Sequence, residues 1–231
     1  MIDQALRMTP RESWRPDDTE TKPRLFSEAS LAPVSELNNF VLEALIDAAT
    51  RPAAEVRPRL ASALHQSLTQ LTSAARDRLS RCPICLIDAG FRDDARWVAV
   101  ATQSNTSSLG SREVVFPRLQ AQKLALQTFT LAWTTARADL EGACLIFGMT
   151  LSSARVVARS SIQTMHGLAE RHVDWLRPAW EDQTEIWHQL LTTAMREMEP
   201  QSSLSLRALQ RRLADLEPAT GESNETRSTH R

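Results

Sequence analysis

The sequence predicts an all-α protein: a multi-helix bundle with a helix-turn-helix-like pair and disordered termini. The first observation is a stretch in the middle of the chain where apolar residues recur at spacings of three and four, at Leu126, Phe129, Trp133, Ala136 and Leu140. The second is that similar patterns precede and follow this stretch. The third is that the two ends are rich in charge or poor in apolar residues, which is typical of disordered segments.

Composition limits the possible function classes. The chain has 231 residues, 42% of them hydrophobic, and a formal net charge of -1, so it can bury one sizeable core. Near-neutral charge gives no general argument for a nucleic-acid or membrane protein. No apolar run reaches the roughly 18 residues of a membrane helix, and 1–16 lacks the apolar centre of a signal peptide. Three cysteines do not form a disulfide framework. We therefore expect a cytoplasmic protein that does not enter a membrane.

One helical domain, residues 31–216, is expected between a disordered arm, 1–30, and a disordered tail, 217–231. Within the domain, 31–116 should form N-terminal helices and a loop, and 117–216 should carry the helix-turn-helix-like pair. Three apolar residues of the arm can dock onto a partner or onto the core: Trp14, Leu25 and Phe26.

The N-terminal part is predicted to contain two helical stretches. The first should begin near Pro33, with Ser35 as its N-cap, and end before Pro52. The second has apolar residues at heptad-like spacings: Leu60, Leu64, Leu68, Leu71, Ala75 and Leu79. Such a seam packs against another helix, which can belong to the same bundle or to a second subunit.

Cys82 and Cys85 have the spacing of a redox dithiol, but they follow a helical pattern rather than the strand that precedes such a motif. They could also supply two zinc ligands, because thiolates bind zinc in tetrahedral sets of four. Such a set would have to be completed from Cys144 and five scattered histidines: His65, His166, His172, His188 and His230. The favoured interpretation is that Cys82 and Cys85 are small buried apolar side chains. We therefore assign no metal ligands and no cofactor.

The central helix is predicted to follow a polar loop, 102–110, with Pro117 in its first turn. It should continue as one long amphipathic helix as far as Phe147. A second apolar line lies beside the first: Leu124, Leu131 and Ala138. The buried stripe should therefore be wide. Gly148 then has the position of a helix C-terminal residue.

Two short helices are predicted next, joined by a serine turn. Thr150 is the expected N-cap of the first helix, and Ser160 or Ser161 that of the second. Such a pair has the size of a helix-turn-helix unit, in which glutamine and arginine can reach base edges and arginine can meet phosphate. The candidate DNA-binding residues are Arg155, Arg159, Gln163 and Arg171. The alternative is ordinary bundle packing without DNA contact.

The C-terminal part should add two more helices, 181–199 and 203–216. Three tryptophans around Pro178 are expected in the core rather than in a stacking role with a ligand or single-stranded nucleic acid: Trp175, Trp180 and Trp187. Three arginines accompany the leucine stripe of the last helix: Arg207, Arg211 and Arg212. This helix can form a solvated face of the bundle, dock a partner or contact phosphate.

No enzymatic function is predicted. The sequence contains no glycine-rich phosphate loop, no histidine-glutamate zinc helix and no nucleophile elbow. Two acidic pairs, Asp93-Asp94 and Glu181-Asp182, fall at expected helix starts. Carboxylates are favoured there by the helix dipole, which explains them without catalysis.

The stretch from Leu131 to Leu190 carries a recognisable succession of residues. It consists of Leu131 and Ala132, then Ala143, Phe147, Gly148 and Met149, then Ala154, and then Ser161-Ile162-Gln163-Thr164-Met165 and Leu168-Ala169-Glu170. In order and spacing this succession resembles the FlhD family of flagellar transcriptional activators. The resemblance covers about a quarter of the chain and does not extend to 1–120.

The resemblance implies a bacterial, all-helical, dimer-forming subunit that activates transcription together with a second, zinc-binding subunit of the FlhC type. In that family DNA recognition belongs to the assembly, which agrees with the near-neutral charge of this chain. We therefore expect a transcriptional regulator of FlhD type, with flagellar genes as candidate targets, that binds DNA through a partner. The alternative is a helical interaction or scaffold protein that does not contact DNA.

Overall fold

The computed structural model describes residues 28–51, 59–102 and 113–196, together with 208, 209 and 212. Ten α-helices lie wholly within these ranges: α1 (Glu28–Thr50), α2 (Arg59–Ala63), α3 (His65–Thr69), α4 (Ser73–Ser80), α5 (Asp94–Ala101), α6 (Arg118–Ala138), α7 (Leu140–Phe147), α8 (Leu151–Arg159), α9 (Ile162–Arg171) and α10 (Thr184–Met195). A 3-10 helix covers Val173–Trp175, and two short strands, β1 (Ile87–Asp88) and β2 (Arg177–Pro178), pair antiparallel. The predicted all-α class is confirmed. Most of the predicted arm and loop and all of the predicted tail lie outside the described residues.

The first helix differs from its prediction at the N-terminus. It begins at Glu28 and includes Pro33 in its second turn, where the missing N–H removes one helix hydrogen bond. The prediction of Ser35 as N-cap is wrong because the helix already extends upstream of it. The Ser35 hydroxyl instead lies 3.4 Å from the hydroxyl of Ser80 at the end of α4.

The heptad-like seam is buried but is not one continuous helix. It is divided into α2, α3 and α4, with breaks at Leu64 and before Ser73. All the leucines of the seam except Leu71 are buried. These helices pack against α1, and α3 and α4 also contact α10. The partner of the seam therefore lies within the same chain.

Cys82 and Cys85 lie in the non-helical segment after α4, and both are fully buried. Burial raises the pKa of Cys82 to about 11 and that of Cys85 to about 12, since a thiolate is poorly solvated there. The prediction that they are buried apolar side chains is confirmed. Within the described residues, no group of three or more His, Cys, Asp or Glu side chains could hold a metal ion.

The central helix is shorter than predicted, and its buried face agrees with the predicted stripe at Leu124, Phe129 and Ala136 but not at Leu126. Asp139 is extended and ends α6, and its side chain accepts a hydrogen bond from Gly142 N as the N-cap of α7. The prediction of one helix as far as Phe147 is therefore wrong. The buried face of α6 consists of small and apolar residues: Ala121, Leu124, Ala125, Thr128, Phe129, Ala132 and Ala136. Leu126 is 45% exposed and Leu131 is half-buried.

Buried apolar side chains from α1 to α10 form one hydrophobic cluster. Its centre is a group of aromatic rings in edge-to-face or stacked contact: Phe91, Trp97, Phe129, Phe147 and Trp175. Trp187 is also buried, and its Nε1 donates to the carbonyl oxygen of Ala179. Trp180 is half-buried and packs against the cluster. The expectation that these tryptophans serve core packing is confirmed.

Gly148 ends α7 in the left-handed conformation, with φ of 67°, as the sequence predicted. A Cβ added there would lie 2.1 Å from Nη1 of Arg212. Arg212 is only 5% exposed and its guanidinium lies over the ring of Trp180, 4.8 Å from the centroid. A solvated position is therefore wrong for Arg212, whereas Arg207 and Arg211 lie outside the described residues.

Within the described part of the chain, no single helix is long and apolar enough to cross a membrane. The pair α7 and α8 reaches that length and composition only when the two helices, bent by 116°, are counted together.

Candidate nucleic-acid interface

The first wall of the candidate site is the outer face of α8. Thr150 caps this helix by accepting a hydrogen bond from Ser153 N at 3.0 Å, and its hydroxyl donates to Asp94 at the start of α5. Ala154 and Val157 face the core, while Arg155 and Arg159 are exposed. Because the two arginines are four residues apart, they lie on the same side of the helix.

The turn between α8 and α9 is fixed by two serines. The Ser160 hydroxyl donates to Val156 O, and its carbonyl accepts from Trp133 Nε1 at 2.8 Å. Ser161 is the N-cap of α9 and accepts from Thr164 N at 3.0 Å. Of the two caps that the sequence left open, Ser161 is therefore the one used.

The second wall is one side of α9. Gln163 and Arg171 are exposed, and with Gly167 between them they follow the four-residue spacing of one helix face. A Cβ added to Gly167 would lie 3.3 Å from Nη2 of Arg171. The Arg171 side chain therefore folds back along α9 across Gly167, toward Gln163.

Between these walls lies a cavity of about 870 Å³, which we call the basic groove. Its described lining comes from α5, α8, the serine turn and α9: Val100, Ala101, Arg155, Val156, Arg159, Ser160, Ser161, Gln163, Thr164, Gly167, Leu168 and Arg171. All four candidate DNA-binding residues therefore lie around one groove. Local sequence gave no sign of Val100 and Ala101, because they reach the groove only when α5 packs on α8.

The charge of the basic groove is positive and uncompensated among the described residues. Its lining there includes Arg155, Arg159 and Arg171 and no carboxylate. None of these arginines takes part in the ion pairs of the described chain. The N-terminus of α9, where backbone N–H groups lack helix partners, opens on the same groove. This combination favours anionic groups such as phosphates.

His172 follows Arg171 and is buried against Trp175, with 4.2 Å between the ring centroids. Burial lowers the pKa of His172; Arg171 and Arg96 act in the same direction, and Asp174 opposes them. The lowered pKa favours the neutral form of the imidazole. The positive charge at this end of the groove comes from Arg171.

The packing of α8 and α9 differs from a compact helix-turn-helix unit. Helix α9 packs mainly on α6, whereas α8 packs on α5, α6 and α7, and direct contacts between α8 and α9 are sparse. The basic groove occupies the space where the two helices of a compact pair would meet. Base readout by insertion of α9 alone therefore has less support than contact with a phosphate backbone across both helices.

The two acidic pairs that could suggest catalysis differ in their outcome. The prediction that Glu181-Asp182 starts a helix is wrong, because α10 begins at Thr184; Glu181 instead lies 3.6 Å from Nε of Arg177. The pair Asp93-Asp94 does lie at a helix start. The Asp93 side chain accepts from Arg96 N as the N-cap of α5, and Asp94 accepts from Thr150.

No protein-family model, curated protein or solved structure matches this chain. The resemblance to the FlhD family therefore stays a prediction, and functional argument depends on the groove itself.

Proposed function

We propose that this protein is an FlhD-like transcriptional regulator that binds DNA as part of an assembly, with the basic groove contacting the phosphate backbone. The observation that carries the proposal is the convergence on one groove between α8 and α9 of Gln163 and three exposed arginines, none of which forms an ion pair with another described residue. An FlhC-like zinc-binding subunit and a second copy of the chain are the proposed partners. Flagellar genes are the proposed targets.

The groove fits phosphate better than it fits a catalytic role. Arginine donates several N–H groups in a planar fork that matches phosphate oxygens. Phosphate contacts position a protein on DNA without reading sequence, and Gln163 is a lining residue whose side-chain amide can pair with a base edge. With a formal net charge of -1, the chain lacks a global attraction to DNA, so a partner that supplies further contacts is part of the proposal.

The test is the salt dependence of DNA binding by the assembly that is recovered at low salt with the tagged full-length chain. Fluorescence anisotropy with a labelled duplex would compare wild type with a variant carrying Arg155→Glu, Arg159→Glu and Arg171→Glu. Each lost phosphate contact reduces the slope of log K against log salt by roughly 0.9. Three contacts therefore account for about a 40-fold affinity change between 50 and 200 mM salt.

The matched control is Arg59→Glu. Arg59 is exposed on α2, which packs on α1 and α3 and is not part of the groove. Circular dichroism should show the same helix content in all variants, because none of these arginines is buried. Equal affinity and equal salt slope for the triple variant and the Arg59 control would refute the role of the groove.

The alternative function is a helical interaction or scaffold protein without DNA contact. It is favoured by a second, apolar groove on the surface between α1, α6 and α9. Under this alternative the recovered assembly would not bind the duplex above background at low salt. Its composition would also be unchanged in the triple arginine variant.

A further inference from the structure

The second groove, which we call the apolar groove, has a volume of about 500 Å³ and lies between α1, α6 and α9. Its described lining is Pro33, Glu36, Leu37, Leu126, Gln127, Thr130, Leu131, Thr134 and His166. Pro33 is exposed, Leu126 is 45% exposed and Leu131 is half-buried. Grouped apolar side chains at a surface groove are characteristic of a site that another segment covers.

The position of the apolar groove points to the part of this chain that precedes α1. Residues 1–27 join α1 at Glu28, and one wall of the groove is Pro33, Glu36 and Leu37, in the second and third turns of the same helix. The preceding segment is therefore attached beside the groove. Covering it from within the chain avoids the translational entropy cost that a separate partner would have to offset.

The chemistry of residues 1–27 matches that of the groove. The segment contains large apolar residues at Trp14, Leu25 and Phe26, and two cations, Lys22 and Arg24, close to Leu25. The apolar wall of the groove can pack against the large apolar side chains. The exposed Glu36 carboxylate at the rim can attract the two cations.

The length of the segment is sufficient. Trp14 precedes Glu28 by 14 residues, which span up to roughly 46 Å when extended at about 3.3 Å per residue. The α6 side of the groove, Leu126 to Thr134, is only about 12 Å long at 1.5 Å per residue. Even after a reversal of direction, Trp14 can reach either end.

We propose that residues 1–27 dock intramolecularly in the apolar groove, with Trp14 and the Leu25-Phe26 pair as apolar anchors. This inference is independent of DNA binding, since the two grooves share no lining residue among those described.

Trypsin cleavage of the full-length chain after Arg24 tests the proposal. The Arg24-Leu25 bond lies between the anchors, and native-state proteolysis follows the population of the undocked segment when docking is rapid. Mass spectrometry would measure the initial rate at this bond under native conditions. A segment docked in about nine molecules of ten would be cleaved about tenfold more slowly than a free one.

Three variants separate the possible outcomes. Leu126→Glu places a charge in the groove and should raise the cleavage rate about tenfold. Trp14→Ser should do the same, and it alters no residue of the described core. The matched control is Leu119→Glu, on the same helix at a residue that is 75% exposed and outside the groove. It should leave the rate unchanged.

Light scattering on the same samples distinguishes a second copy as the occupant. A lower molecular mass for Leu126→Glu, with cleavage after Arg24 unchanged, would assign the groove to a second copy and overturn the proposal. Failure of either Leu126→Glu or Trp14→Ser to accelerate cleavage would also overturn it. The proposal requires acceleration by both, with mass unchanged.

Discussion

Replacement of Asn38 by alanine should be among the most destabilising single changes in this protein. Asn38 lies on α1 and is fully buried. Its side chain joins α1 to the last residue of α4 and to the non-helical segment that follows. Nδ2 lies 2.9 to 3.2 Å from three carbonyl oxygens, and Oδ1 accepts from a backbone N–H at 2.8 Å: Ser80 O, Cys82 O, Ile84 O and Leu86 N.

The magnitude follows from these contacts. An amide has two N–H groups, so its three acceptors share two donors, and the side chain makes about three full hydrogen bonds. At a net value of about 1 kcal/mol each, their loss costs about 3 kcal/mol. The substitution also leaves backbone groups buried without hydrogen-bond partners, which raises the expected loss of unfolding free energy to about 5 kcal/mol. For a chain of this size that corresponds to a fall in melting temperature of roughly 6–20 °C.

The control is the neighbouring asparagine. Asn39 is half-buried, and its Nδ2 donates to Glu43 one turn away at 3.1 Å. Such a pair is worth about 0.5 kcal/mol or less, so Asn39→Ala should be nearly neutral. Urea unfolding followed by circular dichroism measures both free energies. A loss below about 1 kcal/mol for Asn38→Ala, comparable to that for Asn39→Ala, would refute the assigned role.

Three further predictions concern the glycines and the cysteines. Gly148→Ala should destabilise by more than about 1 kcal/mol in urea unfolding, because a Cβ is strained at φ of 67° and meets a buried guanidinium. Gly167→Ala, in a helix interior, should be neutral or stabilising in the same measurement. In the native protein a thiol reagent should modify the half-buried Cys144 before Cys82 and Cys85, and equal rates for all three would contradict the burial. The free energy of unfolding should also fall as the pH rises above 9, by about 1.4 kcal/mol per pH unit for each buried thiol. The reason is that the thiols ionise in the unfolded chain, whereas in the folded protein burial raises the pKa of Cys82 to about 11 and that of Cys85 to about 12. Substituting both buried cysteines by alanine should reduce that slope in urea titrations at pH 8 and pH 10.

Local signals in the sequence were sufficient to locate the helices of the candidate site. Thr150 and Gly148 have the predicted capping positions, and Ser161 is one of two predicted alternatives. Helix caps can be predicted from the sequence because a capping hydroxyl or glycine affects only backbone groups within about three residues of itself. The helical period then placed Arg155 and Arg159 on one face without knowledge of the fold.

Features that depend on packing between distant segments of the chain could not be predicted from the sequence. The sequence suggested that Leu126 faces the core, whereas it is 45% exposed and α6 buries Ala125 and Ala132 beside the predicted Phe129 and Ala136. Small residues allow neighbouring helices to approach closely. The packing energy gained in this way depends on which helices are neighbours, and the spacing of apolar residues does not give that information. Asn38 was missed for the same reason, since its partners lie more than 40 residues away.

The three sides of α9 face the core, the basic groove and the apolar groove. The two proposals can therefore be tested separately. Met165, Leu168 and Ala169 are buried, and α9 packs chiefly on α6, so this side holds the helix in place. Arg171 lies on the side that faces the basic groove, and His166 lies on the side that faces the apolar groove. Charge reversal in the basic groove therefore changes neither the core contacts nor the apolar groove. If the arginine variants altered trypsin cleavage of the N-terminal segment, α9 would have to move as a unit, and its position would then couple DNA contact to docking.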